Sequence, residues 1–243
     1  VMQLLYNCSI ATERKVGLHQ LYVEDIVRCT TLSEAVLMVN KAYDFHRHPY
    51  FMWMQAPSTS RAQFLCTQLP ICFAIESFSQ SLAAVLARTP VLERRLSVME
   101  NVAEEHGHGN LLNSHKYTFR QFLRALGATP EDLEIPCPAS VLAFNHSLLG
   151  YCLTQSSEAG GAALGMLEHL YSSVSGMIAR TINERGWAAP GSQSHYTVHE
   201  ELDVEHAREL LVLAEPYWEE PRNRAHVAQG LVLGAHYLWA LYE

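Results

Sequence analysis

Three groups of acid and imidazole side chains could do chemistry in this sequence. The first is His199-Glu-Glu-Leu-Asp203-Val-Glu-His206. Its His199, Asp203 and His206 share one face of a helix. Leu210 and Leu213 continue that stripe, while Glu200, Glu201, Glu205 and Glu209 populate the rest of the surface. The polar triplet therefore lies where a core should be. Two imidazoles and a carboxylate converging on one buried point are what a divalent metal needs. The plainer alternative is a solvated helix with incidental histidines, and the continuation into leucines argues against it.

The second group is a pair of isolated acids. Glu76 is the only charged residue between Arg61 and Arg88, and Glu168 the only one between Glu158 and Arg180. Both are expected in helices buried nearly all round. A lone buried carboxylate is costly, so it protonates or finds a cation. A protonated or Arg-paired core acid is the bland reading for either; two in one chain point to a shared partner.

The third group is Glu100-Asn-Val-Ala-Glu104-Glu105-His106-Gly-His108-Gly-Asn110, followed by His115. A helix ends in acids, a glycine turn follows, and a new helix begins near His115. Such a turn can aim Glu105 and His115 at one place. His106 and His108 are rivals, and Glu104 differs from Glu105 only in spacing; all could equally be surface groups. Together the candidates are Glu76, Glu105, His115, Glu168, His199, Asp203 and His206. Carboxylate bridges can hold two iron or manganese ions in a helical bundle. Two histidines and a carboxylate would suit a single ferrous ion. Carboxylate richness disfavours zinc.

The elements that must carry these residues are helical, because 3.6-residue spacing recurs and period-2 alternation hardly occurs. Helices are expected from Leu32 to about Phe45, capped by Thr31 or Ser33, and from Ser58 or Ser60 to Thr89, disturbed at Pro70. Others run from about Val91 to Glu105, and from about Asn113 to Leu126 with Gly127 closing it. Ala128 to Pro138 reads as a loop, and Ala139 to Thr154 as a helix. A break at Gly160-Gly161 adjoins a helix to about Glu184, and Pro190-Gly191-Ser192 is a loop. Ser194 to Ala214 and Arg224 to Tyr242 complete the set, with Pro216 and Pro221 as punctuation. The expectation is an all-α, single-domain bundle of about seven or eight helices spanning residues 1–243.

Composition narrows the function further. A net charge of −8 lacks the basic footprint of a nucleic-acid binder. No basic amphipathic stretch suggests a membrane surface, and no apolar run is expected to span a bilayer. Six scattered cysteines without a CxxC, and no basic-then-apolar start, suggest a cytoplasmic chain with free thiols.

Over about residues 60 to 215 the sequence resembles the haem-oxygenase-like di-iron oxidases and oxygenases. His199-x3-Asp203-x2-His206 and Glu105-x9-His115 carry the likeness, with Glu76 and Glu168 where that family places its other helical carboxylates. The resemblance implies two iron ions, the second often labile, with O2 as co-substrate and manganese as a rival ion. It implies that Glu76, His115 and His206 hold one iron, that Glu168, His199 and Asp203 hold the other, and that Glu105 approaches both. It also implies a homodimer that oxidises a small carboxylate-bearing substrate, an amino acid first, in specialised biosynthesis. Three alternatives stay open: a mononuclear-iron fatty-acid decarboxylase, a metal-free thiaminase-like or quinone-cofactor-synthase-like enzyme, and a binding protein with a structural metal. Phe73, Phe78, Phe144, Tyr171 and Met177 are candidate pocket residues. Tyr117, His169 and His195 are candidate tuning groups, and Arg88, Arg120 and Arg180 candidate carboxylate clamps.

Overall fold

The structure, a computed structural model, describes residues 21–189 and 194–243. Cys8, the start of the chain and the loop expected at Pro190-Gly191-Ser192 lie outside the described residues. Among those described there are eleven α-helices and no strand. They are α1 (Val23–Ile26), α2 (Leu32–Ala42), α3 (Pro49–Gln55), α4 (Arg61–Gln68), α5 (Ile71–Arg88), α6 (Leu92–Glu105), α7 (His115–Ala125), α8 (Ala139–Thr154), α9 (Ser157–Arg185), α10 (Ser194–Glu219) and α11 (Arg224–Leu241).

The all-α expectation holds, and local chemistry explains most boundaries. Thr31 caps α2 and Ser60 caps α4, each in a reciprocal box with the side chain three residues on, Glu34 and Gln63. Gly127 ends α7 at φ 101°, where Ala128 N–H donates back to the Leu123 carbonyl. The helix count exceeds expectation because Pro70 divides α4 from α5 and because α1 and α3 are too short to show a period.

Two expected interruptions are absent. Helix α9 runs through Gly160 and Gly161 without a break. These glycines admit neighbours: a Cβ on Gly161 would meet the Leu210 carbonyl of α10 at 3.0 Å. Helix α10 continues through Pro216 to Glu219. Proline there leaves the carbonyl four residues earlier, at Val212, without its N–H donor, and Val212 is an exposed residue.

Helix α9 is the axis of the molecule. Of its side chains, Leu164, Met166, Leu170, Val174 and Ile178 are almost completely buried, and α10 and α11 pack along its length. Helix α5 lies on α8, with α6 and α7 beside it. One connected hydrophobic core extends from Ile26 to Tyr242.

The stretch Arg61–Arg88 is long and apolar enough, by length and composition, to cross a membrane. Here its α5 portion packs against α6, α7, α8 and α9.

Candidate metal centre

Helices α6, α7, α9 and α10 bring six of the seven candidate ligands together. Glu105, His115, Glu168, His199, Asp203 and His206 are all buried. On α10 the stripe His195, His199, Asp203, His206, Leu210, Leu213 faces inward throughout, none more than 5% exposed. Intimate α9–α10 packing holds that stripe against Glu168. A Cβ on Gly165 would come within 3.2 Å of the Ala207 carbonyl, so only a small residue lets α10 approach this closely.

The turn between α6 and α7 aims the other pair. Gly107, His108 and Gly109 all have positive φ, and a Cβ at Gly107 would strike the Ser114 backbone nitrogen at 2.6 Å. This reversal places Glu105, the last residue of α6, 2.9 Å from His115 Nδ1, at the first residue of α7. A carboxylate at a helix C-terminus opposes the helix dipole, and a neutral imidazole at an N-terminus gains nothing from it. Helix stability therefore does not account for either position, and sites that break local rules are often functional.

Two half-sites result. In one, the rings of His115 and His199 lie 4.4 Å apart, with Glu105 beside His115 and His195 a further 4.4 Å beyond His199. In the other, ligand atoms of Glu168, Asp203 and His206 all fall within 4.8 Å of one another. His199 Nδ1–H donates to Asp203 Oδ1 at 2.6 Å and joins the halves. The electrostatics agree. Burial pushes Glu105 up, yet His115, then His199 and His206, outweigh it and hold its carboxyl below the usual range. Burial, with Asp203 and Glu105 as neighbours, raises Glu168 well above it. Burial lowers His199, but Asp203 and Glu105 more than restore it, leaving it raised.

These residues fit metal ions. Among the described residues, Glu168 Oε1, Asp203 Oδ2, His206 Nδ1 and His195 Nε2 are buried with no well-formed hydrogen bond, although Glu168 and Asp203 are close enough to share a proton. An unmet buried polar group costs about 1–3 kcal/mol, and a charged one more. The first three belong to the Glu168–Asp203–His206 cluster, where a cation would satisfy them together.

Glu76 requires correction. It is exposed, and its carboxylate pairs with Lys116 rather than with the buried set. Helix α5 has a solvent face made of Glu76, Gln80, Ala83 and Ala87; because three of these are uncharged, the sequence looked buried all round. His206, which the resemblance groups with Glu76 and His115, lies instead with Glu168 and Asp203. Its Nε2–H is taken by Glu104. His106 and His108 are exposed.

A cavity of about 50 Å³ opens onto the centre. Of the anticipated lining residues, Phe78, Phe144 and Tyr171 are there, with Glu105, His115, Glu168, His195 and His199. Phe73 and Met177 are not; Met177 lies in the core. Sequence reasoning missed Leu238 and Leu241, which α11 contributes to the wall, although their i, i+3 spacing on an apolar helix was a usable signal. Among the described residues no Arg or Lys lines the cavity. Arg88 donates to the Gln155 carbonyl and Arg180 to Glu200, both at the surface. Arg120 acts on Cys72. Tyr117 and His169 are half-buried and outside the lining.

A helical bundle with a buried carboxylate–histidine centre defines a class of metal-dependent proteins, and comparison with known proteins agrees. Residues 73–239 match the iron-containing redox enzyme family, and the chain belongs to that haem-oxygenase-like family. It is 30% identical over 187 residues to the 4-aminobenzoate synthase of Chlamydia trachomatis, covering 76% of this chain and 79% of that one. It is 31% identical over 171 residues to the 4-aminobenzoate synthase of Chlamydia muridarum, covering 69% and 71%. In structure it resembles a TenA homologue from Pseudomonas syringae (TM-score 0.68, 16% identity, covering 86% and 90%). It also resembles one from P. horikoshii (TM-score 0.65, 12% identity, covering 91% and 97%). At those identities the likeness is one of fold.

Proposed function

We propose that this chain is an O2-dependent, non-haem di-iron oxidoreductase acting on a small carboxylate-bearing substrate. The observation that carries the reading is the cluster of unpartnered buried atoms on Glu168, Asp203 and His206, next to the Glu105–His115–His199 half-site. Six residues would hold two ions: Glu105, His115, Glu168, His199, Asp203 and His206. Glu76, tied to Lys116 at the surface, is not in the set. When bound, ferrous ions supply electrons for the reduction of O2.

The protein's own contribution is holding and shaping. Glu105 feels the imidazoles of both half-sites, the position of a shared carboxylate. Ile71, Ala74, Ile75, Phe78 and Phe144 give the cavity an apolar wall. His195 lines it with its Nε2 free, and burial, helped by His199 and His115, keeps that imidazole neutral. Tyr171 keeps its phenol proton, because burial and then Asp203 raise it far above the ordinary value. In the cavity wall, His195 is thus a neutral imidazole that can accept a hydrogen bond and Tyr171 a phenol that can donate one.

With no Arg or Lys among the described lining residues, the carboxylate of a substrate would face the centre and its histidines. Amino acids and aromatic acids both carry such a group. The two relatives' names favour the aromatic class, 4-aminobenzoate being their product. A metal-free reading shares the fold; in it Glu168 keeps a proton beside Asp203, and His206 Nδ1 is left without a partner. The test is O2 uptake by anaerobically iron-loaded protein, with mass spectrometry for 4-aminobenzoate and for oxidised products of an amino-acid panel. The reading expects iron-dependent uptake and one new product; equal turnover in chelator-treated protein would defeat it.

A further inference from the structure

The two adjacent acids that end α6 point to different partners. Glu105 is buried and engages His115. Glu104 is partly exposed, and its Oε2 accepts from Nε2–H of His206 on α10. His206 is buried, and its other ring nitrogen, Nδ1, lies 4.0 Å from Glu168 Oε1 with no hydrogen-bond partner. A histidine has one bare nitrogen when neutral, and the hydrogen bond at one nitrogen decides which atom is free to bind a metal. A carboxylate that fixes the proton on the far side also locks the ring's rotation and raises its basicity.

We propose that Glu104 is a positioning residue that holds the Nε2–H tautomer of His206 and thereby presents Nδ1 to the metal shared with Glu168 and Asp203. The inference rests on the ligand reading above. It assigns Glu104 a role distinct from that of Glu105: one acid reaches into the centre, and its neighbour braces a ligand from behind. The outer side of Glu104 meets Glu100 and His108, whose ligand-type atoms lie with its own within 4.8 Å of one another. Both Glu100 and His108 are exposed and neither touches His206, so Glu100 supplies a control of equal charge.

The experiment has two readouts. The first is the side-chain nitrogen NMR spectrum of metal-free protein, in which His206 carries its proton on Nε2. In Glu104→Ala that preference is lost; in Glu100→Ala it is kept. The second is anaerobic titration with Mn(II) or Fe(II). Glu104→Ala is expected to weaken one of the bound ions by about 10- to 100-fold, the usual cost of removing a carboxylate behind a ligating histidine. Glu104→Gln, whose amide oxygen still accepts from Nε2–H, recovers part of that loss, and Glu100→Ala matches the parent. Parental affinity and an unchanged His206 spectrum in Glu104→Ala would overturn the inference, as would a Gln variant no better than Ala. A parent that takes up no metal would overturn the ligand reading instead, and the metal-free spectrum would still decide whether Glu104 sets the tautomer. If Glu104→Ala does not fold, Glu104→Gln and Glu100→Ala are compared on the same two readouts.

Discussion

Replacing Glu168 by Gln should have opposite effects on the empty and the loaded protein. In the metal-free chain, Glu168 is buried with one oxygen unpartnered, close to Asp203, and its carboxyl is raised well above the usual range, by burial first and Asp203 second. The folded state thus holds a proton that the unfolded chain releases. For an acid raised on folding, stability is fully present below the unfolded value and is lost as pH climbs towards the folded one. The loss is about 1.4 kcal/mol per pH unit. From the ordinary value of 4.5 to pH 7, its ceiling is about 3 kcal/mol. Gln has nearly the same volume, does not titrate, and has an amide N–H to offer Asp203. Metal-free Glu168→Gln should therefore match the parent near pH 4.5 and exceed it increasingly towards pH 7. For a chain of this size the ceiling corresponds to roughly 6–12 °C in Tm. Chelator-treated parent and variant, melted or urea-unfolded across pH 4.5 to 7, provide the assay. With iron present the order reverses, because the variant loses a ligand and with it the stabilisation from binding. A metal-free variant less stable than the parent at pH 7, or a difference that does not vary with pH, would refute the reasoning.

Other consequences can be checked alongside. Asp203→Ala and His206→Ala should each abolish turnover and lower iron content while retaining the helical circular dichroism spectrum. Glu76→Gln should leave iron content unchanged and cost no more than about 1 kcal/mol, because its partner Lys116 is itself partly exposed; iron loss in this variant would return Glu76 to the ligand set. Gly107→Ala should destabilise the fold by at least about 1–2 kcal/mol, the cost of left-handed backbone in a residue with a Cβ, with a further penalty from the Ser114 contact, and should reduce metal uptake by separating Glu105 from His115. Ala74→Phe, in the cavity wall, should depress turnover while iron content stays at the parental level.

The α10 stripe was legible because its chemistry and its packing share one period: His199, Asp203 and His206 run directly into Leu210 and Leu213, all buried. Glu168 was legible for a related reason, since α9 is packed on nearly every side and any acid within it stands out. The same reasoning failed at Glu76. A solvent face built of alanines and a glutamine carries no charge to mark it, so an exposed acid on α5 resembled a buried one. Glycines misled in the opposite direction: Gly160 and Gly161 suggested a break, but they serve the close approach of neighbouring helices to α9. The division of labour between Glu104 and Glu105 could not be read from spacing, because it depends on where α10 crosses the end of α6. The cavity wall from α11 lay beyond the segment whose motifs drew attention.

The most direct test of the account is the iron content of anaerobically loaded protein, measured by elemental analysis with Mössbauer spectroscopy. Two high-spin ferrous ions per chain in the parent, falling in Asp203→Ala and unchanged in Glu76→Gln, is the predicted result. A parent that binds no iron, or an Asp203→Ala variant that binds as much as the parent, would contradict it.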